Sequence, residues 1–442
     1  MPETRLLLAD IDIPDIEHID AYLRCGGYAA ADQALAGSPE QVRAEVAAAG
    51  LCDRGGRWHP LAERWAEMPP GGVLCVEANE SEPGTFRDRK LIERHPHQLL
   101  EGVLLAAFAL GASQAYIYIR CEMGRGRQLL QEAIDQAYER DWLGADIRGT
   151  GYGLEVRIQA GAGAYIAGEE TALINSLAGR RAEPQALSAW EIRLWGRPAL
   201  VENAGTLAYM PHVLRQGAAD FRQLGTERYP GPMVFCVSGP VRRPGLYELE
   251  LGAATLRELV CDYAGGVREG HQLKAVIPGG GGAPVLKPDE LDVRLSPEDW
   301  AVPGGGQFAG SFGTGGVIVM DETTCMVEAA LNLLDFYADQ SCGQCPPCRA
   351  GAPWLADTVR RIEAGEGREE DLELIRELAA QVSPLLAPQR STLCGFGQTF
   401  AWPLQGFVRA FGEEFTAHVR AGRCPVAKDH AIKIPETVSV RF

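Results

Sequence analysis

YGLEVRIQAGAGAYIAGEETALINSLAG, residues 152–179, changes character twice. Its first part reads as a strand, and the strand runs into the glycine loop Gly161–Ala162–Gly163. A helix then begins near Glu169 and is stopped by Gly179. Glycines ahead of a helix N-terminus let backbone N–H groups approach a phosphate or another anion. Glu169 and Glu170 qualify that reading, because two carboxylates repel a phosphate and suit hydroxyls or a ribose better. They also complement the helix dipole.

Working outward, the same strand–helix alternation extends in both directions. GGVLCVEAN (71–79) reads as a strand, RDRKLIERHPHQLLEGVLLAAFALGA (87–112) as helix with a break near Pro96, QAYIYIR (114–120) as a strand, and GRQLLQEAIDQAYERDWLG (126–144) as an amphipathic helix. This alternation predicts a doubly wound α/β domain. VEANESEPGTFRDR (76–89) follows a strand end, where α/β proteins place ligands. Upstream, residues 14–50 are helical in pattern, with Ser38 as an N-cap, Pro39 in the first turn and Gly50 as the stop. Downstream of 230 the chain reads as a small ββαβ unit, and from 321 as four amphipathic helices with short links, a bundle. The expected division is 1–65, a helical segment with a glycine loop; 66–232, the α/β domain; 233–312, the small β unit; 313–422, the bundle; and 423–442, a tail.

The chain has 442 residues, 46% of them hydrophobic, and a net charge of −17. The acidic balance argues against nucleic acid, since no basic stripe is available to neutralise phosphates. The most apolar run, 99–119, contains Glu101, Gly102 and Gly111 and ends as a strand, so it reads as a buried helix and no direct membrane span is expected. The N-terminus lacks the apolar core of a signal peptide. The expected location is the cytoplasm, with membrane association only through partners.

Most of the twelve cysteines stand alone in apolar surroundings and read as small buried hydrophobes. SCGQCPPCRAG (341–351) is different. Cys342, Cys345 and Cys348 have C-x2-C-x2-C spacing, which lets one loop wrap three thiolates around a cubane iron–sulfur cluster. Zinc is the alternative, although its sites more often pair two separate C-x2-C knuckles. Cys394, in RSTLCGFGQ, is the natural fourth ligand, with Cys325 and Cys424 as rivals.

GAGAYIAGEETALINSLAG, ESEPGTFRDR, SCGQCPPCRAG and AWPLQGFVRAFGEEF together resemble the NADH-binding flavoprotein subunit of respiratory complex I. Its relatives in NAD-linked hydrogenases and formate dehydrogenases are similar. The resemblance runs from AYLRCGGYAAADQAL to about residue 420. It implies an α/β fold made of a flavin-type doubly wound domain, a ubiquitin-like β-grasp domain and a four-helix bundle carrying one [4Fe-4S] cluster. In that family NADH gives a hydride to FMN, and electrons pass singly to the cluster and on to partner subunits. The partners implied are a thioredoxin-like [2Fe-2S] subunit and a larger iron–sulfur or molybdenum-type subunit. Residues matching the family's cofactor site are Gly55, Gly56, Glu80, Glu82, Tyr165, Gly168, Glu169, Glu170, Asn203 and Thr206.

The departures are concentrated. Where the family has G-R-G-G-A-G-F-P-T-G-L-K, this chain has DRGGRWHPLAER (53–64). Asp53, Trp58 and Ala62 stand at family glycines, His59 at an aromatic, and Arg64 at the lysine. Glu77 and Glu202 replace asparagines, and the K-P-P-F-P segment has no counterpart. These changes predict weak or absent FMN and no appreciable NADH oxidation. Trp58 is expected to occupy part of the flavin pocket, and Arg57 to pair with Glu82, Glu169 or Glu170. The function expected is therefore an iron–sulfur electron-transfer subunit. The alternatives are a working NADH:acceptor oxidoreductase subunit and a structural metal-binding subunit.

Overall fold

A computed structural model describes residues 3–69, 71–300 and 312–426. Residues 427–442 of the expected tail lie outside the described residues, as do 301–311 of the small β unit.

The first sheet has the order β3-β2-β1-β5-β4. Its strands are β1 (Val73–Ala78), β2 (Gln114–Arg120), β3 (Glu155–Gly161), β4 (Arg193–Leu194) and β5 (Arg197–Asn203). β1 pairs in parallel with both β2 and β5, β2 pairs in parallel with β3, and only the short β4 is antiparallel. Successive strand residues point to opposite faces. Thus Leu74, Val76 and Ala78 enter one core, while Val73 and Cys75 enter another beneath the helix Glu170–Leu177. A strand buried on both faces needs a continuous apolar run, which is why GVLCVEA shows no polar alternation. Each fully buried Val or Leu contributes roughly 1.5–3 kcal/mol.

The helix Pro96–Leu110 is buried along its whole length. Its two oddities have local causes. A Cβ on Gly102 would come 2.1 Å from the carbonyl oxygen of Leu207, so glycine permits close packing there. Glu101 accepts hydrogen bonds from the backbone N–H groups of Tyr28 (2.9 Å) and Ala31 (3.1 Å), at the start of the helix Ala29–Leu35. Among the described residues no helix is long and apolar enough to cross a membrane.

The second sheet has the order β7-β6-β9-β8, from β6 (Pro232–Ser238), β7 (Gly245–Glu250), β8 (Leu273–Ile277) and β9 (Gly316–Asp321). β9 pairs in parallel with β6 and antiparallel with β8. The division expected between 312 and 313 therefore cuts this sheet. The partners of GVIVMD in β6 and β8 are distant in sequence, so no local pattern joins it to this sheet. The bundle follows as Met326–Gln340, Ala352–Glu363, Asp371–Val382 and Phe396–Ala421.

Candidate functional site

Each cluster cysteine sits at a helix end. Cys342, Cys345 and Cys348 lie between the first and second bundle helices, and Cys394 immediately precedes the fourth. Gly343, at φ +76°, provides the left-handed turn that lets the first loop curl. The backbone N–H of Leu393 donates to Cys345 Sγ (3.3 Å), joining the two cysteine loops. Burial pushes the Cys348 thiol up to about 12, helped by Cys394, Cys345 and Cys342. Burial likewise pushes Cys394 up to about 11, with Glu169, Cys342 and Cys345 adding to it against the Phe396 N–H. Thiols crowded this way become thiolates when cations supply the compensating charge. The four-thiol donor set fits a [4Fe-4S] cluster. Cys325 and Cys424 are elsewhere, grouped with Glu363 and His418.

Two adjoining cavities, of ≈ 280 and ≈ 1040 Å³, open beyond the C-terminal ends of β1 and β5. Gly55, Glu80, Glu82, Tyr165, Gly168, Glu169 and Asn203 line the smaller one, and so does Cys394. Gly56 lines the larger. Glu170 and Thr206 stand behind the wall: the Thr206 hydroxyl accepts from the Arg54 N–H (2.8 Å), tying the glycine loop to β5. The Tyr165 hydroxyl donates to Glu82 (2.5 Å), which also accepts from Tyr337 (2.9 Å) and the Gly282 N–H (2.7 Å). Sequence reasoning passed over Asp88, which pairs with Arg87 (2.7 Å) and accepts from Asn203 (2.9 Å) on the cavity wall. Its signal was present in the quoted FRDR.

The loop 53–64 is rebuilt around its own side chains. Arg57 meets Glu170 at 2.6 Å, and Arg64 meets the other oxygen at 2.9 Å. Burial pushes the Glu170 carboxyl up, but the two guanidinium groups outweigh it and hold it below the ordinary range. Arg64 also approaches Glu202 (3.5 Å), which accepts from Trp65 Nε1 (3.2 Å). The expected pairing of Arg57 is thus found, with Glu170.

The expected position of Trp58 is found only in part: it lines the larger cavity but not the smaller. Its backbone keeps a left-handed conformation, φ 60°, at a family glycine position. That conformation costs a non-glycine residue about 1–2 kcal/mol. The indole turns away from the smaller cavity into the core of the second sheet, with Tyr229 at 5.9 Å and Phe312 at 5.2 Å. Its Nε1 donates to the Gly313 carbonyl (3.2 Å), and the Arg54 guanidinium lies 5.3 Å from the ring. The inherited backbone path aims the side chain outward, and an apolar surface receives it.

The smaller cavity is acidic. Glu77, Glu80, Glu82, Asp88 and Glu169 line it, and its two arginines, Arg57 and Arg87, are each paired with a carboxylate. Burial, then the Asp88 charge, pushes both Glu77 and Glu80 up to about 7. Glu80 caps the helix Arg87–Arg94, accepting from the N–H groups of Asp88 and Arg89 (both 2.9 Å).

A flavin-type α/β module, a β-grasp-like unit and a four-cysteine helical bundle define a class of modular electron-transfer subunit. Family models match all three: the Nuo51 FMN-binding domain over residues 46–212, the SLBB domain over 233–306, and the NADH-ubiquinone oxidoreductase-F iron–sulfur binding region over 328–418. The NADH-quinone oxidoreductase F 2 subunit of Rhizobium meliloti is 41% identical over 95% of this chain and 99% of its own length. The F-type subunit of the Aquifex aeolicus enzyme is 39% identical over 93% of each. A crystal structure of an NAD+-reducing [NiFe]-hydrogenase in the H2-reduced state superposes with a TM-score of 0.80 at 30% identity, over 96% of this chain and 67% of that one. The chain belongs to the family of NADH-quinone oxidoreductase F-type subunits.

Proposed function

We propose that this chain is an iron–sulfur electron-transfer subunit of a multi-subunit oxidoreductase, with a [4Fe-4S] cluster on Cys342, Cys345, Cys348 and Cys394 and a degraded FMN/NADH site. The observation that carries it is the contrast around one cavity: Cys394 lines it, while Arg57 and Arg64 of the glycine loop beside it are both engaged by Glu170. When bound, the cluster supplies one-electron transfer. The chain's own residues hold it: Cys348 from the buried side, and the Leu393 N–H on Cys345 as a hydrogen bond that favours the reduced, more negative state.

The residues do not fit the phosphate of FMN. Glu77 and Glu202 stand where the family pattern has asparagines, and the arginine at the family lysine is engaged by Glu170 and Glu202. A phosphate brought there adds negative charge to a wall whose cations are already engaged. Gly55, Gly56, Glu80, Glu82, Tyr165, Gly168, Glu169, Glu170, Asn203 and Thr206 are on this reading the surviving frame of the cofactor site. The working units are 66–232 for the α/β domain, 233 to about 321 for the β-grasp unit, and the bundle beyond.

Exposed Trp354 and Leu393, close in sequence to Cys348 and Cys394, support a partner seated over the cluster. A thioredoxin-like [2Fe-2S] subunit and a larger iron–sulfur or molybdenum-type subunit are the partners proposed, in the cytoplasm. The test is iron and acid-released flavin per chain in the native assembly. The reading expects about four irons, a dithionite-reducible cluster and no stoichiometric FMN. A second reading, hydride transfer from NADH to FMN, draws on the openness of the two cavities and on Trp58 turning away from the smaller. Stoichiometric FMN, or rapid bleaching of the cluster by NADH, selects it.

A further inference from the structure

Three bundle helices carry chemistry at both ends. Met326–Gln340 runs from Cys325 to Cys342, Ala352–Glu363 from just after Cys348 to Glu363, and Phe396–Ala421 from Cys394 to His418 in its last turn, with Cys424 just beyond. A helix of the first one's length spans about 22 Å at 1.5 Å per residue. The cluster cysteines gather at one end of these helices. At the other, Cys325 Sγ, a Glu363 oxygen, His418 Nε2 and Cys424 Sγ all lie within 4.8 Å of one another.

The arrangement of atoms is unusual for a purely structural contact. His418 is fully buried, and its Nδ1 lies 2.8 Å from the Glu414 carbonyl, one helical turn back. A carbonyl only accepts, so the proton belongs on Nδ1 and the Nε2 lone pair faces inward. That lone pair meets Glu363 Oε2 at 3.1 Å and Cys325 Sγ at 3.3 Å, and Cys325 Sγ lies 3.4 Å from Glu363 Oε2. Four atoms of metal-ligating type therefore converge on one point at the end of the bundle. With bonds of 2.0–2.3 Å, the edges of a zinc tetrahedron are about 3.3–3.8 Å, close to the spacings found. The Glu414 carbonyl takes the orienting role that metal-bound histidines need on their second nitrogen. Cys325 also caps its helix, its Sγ accepting from the Glu328 N–H (3.4 Å), which fixes the sulfur at the start of that helix.

We propose that Cys325, Glu363, His418 and Cys424 form a second metal site, closed and tetrahedral, that takes Zn2+. Two thiolates with an imidazole select zinc over hard cations. Binding forms two Zn–S bonds, one Zn–N bond and one Zn–O bond, and any thiol protons present leave to solvent; nothing is oxidised or reduced. With four protein ligands no position is left for a substrate, so the ion clamps the bundle's far end.

The test measures zinc and iron per chain in the full-length protein, purified anaerobically from zinc-replete cells. About one zinc per chain is expected beside the cluster iron. Cys424→Ser, at a partly exposed position after the last helix, and His418→Gln should each lose the zinc and keep the iron and the reduced-cluster EPR signal. Cys394→Ser should do the opposite. After chelation, added Co2+ should give thiolate-to-cobalt charge-transfer absorption in the wild type and not in Cys424→Ser. Iron-loaded wild-type protein with no zinc and no cobalt spectrum overturns the proposal, as does zinc that survives the Cys424→Ser/His418→Gln double substitution. Zinc lost from Cys394→Ser but kept by Cys424→Ser places the ion at the cluster cysteines instead, and overturns it too.

Discussion

The cysteine end of the bundle and the glycine loop 53–64 face each other across one cavity, and they have diverged very differently. At the cysteine end, Cys342, Cys345, Cys348 and Cys394, the ligands proposed for the cluster, are all present. The loop has Gly56 at φ +107° and Trp58 in the left-handed region, and its side chains pair with the protein's own groups. The difference is one of chemistry. A cubane held by four thiolates loses a corner ligand with any one substitution. A loop that clasps a cofactor through backbone N–H groups can be refilled piecemeal, provided each new charge finds a partner. Arg57 and Arg64 divide the two oxygens of Glu170, and Thr206 ties Asp53 (3.4 Å) and Arg54 into the same network.

The sharpest break in this comparison is on the cysteine side. Cys394→Ser should lose or convert the cluster, whereas Cys325→Ser should leave it intact; iron content and EPR of the reduced protein check both. Reversal of that pattern would mean that the ligand set is wrong.

On the loop side, Arg64→Ala should have the largest effect. It leaves Glu202 and half of Glu170 buried without a cation, which costs about 3–5 kcal/mol. The cost should be smaller at pH 6 than at pH 8, because burial raises the Glu202 carboxyl to about 7 and lets it protonate. Denaturant midpoints at the two pH values measure this.

Trp58→Gly should come next. Removing a buried Trp costs about 3–5 kcal/mol, and relief of the left-handed backbone returns about 1–2 kcal/mol, for a net loss of about 1–4 kcal/mol. It should not restore flavin, because Arg64 and Glu77 remain. A Trp58→Gly chain that binds FMN would contradict the account of the acidic wall.

The smallest effect is a pH slope. Glu77 and Glu202 both have carboxyls raised to about 7 in the fold, mainly by burial. The folded state thus holds protons that the unfolded chain has released. This contribution is complete below the unfolded value near 4.5 and disappears as pH rises through 7. Each group should make the protein about 1 kcal/mol less stable at pH 8 than at pH 6. Glu202→Gln should flatten its share of that slope, read from thermal melts across the range.

Much of this was legible from local chemistry. Ser38 and Gln41 exchange the reciprocal bonds of a capping box, and Gly50 closes that helix at φ 66°. The helix break falls at His95, immediately before Pro96. The cluster spacing C-x2-C-x2-C is a property of one loop, and the family's motifs are short and contiguous. Charge alone pointed Arg57 toward a carboxylate.

What the residues by themselves determined, then, was whatever depends on neighbours within a few positions: strand runs, caps, the cysteine loop and the list of overwritten glycines. The tertiary structure alone decided what depends on approach between distant segments. It placed β9 beside β6 in a sheet divided by sequence reading, since hydrogen-bond partners across a sheet leave no local trace. It turned Trp58 toward Tyr229 and Phe312, because a left-handed backbone fixes where the side chain points and only the folded chain shows what waits there. It also set Cys325 and Cys424 beside Glu363 and His418, at the opposite end of the bundle helices from Cys342 and Cys394, since each bundle helix has two ends and spacing along the chain does not reveal which ends meet.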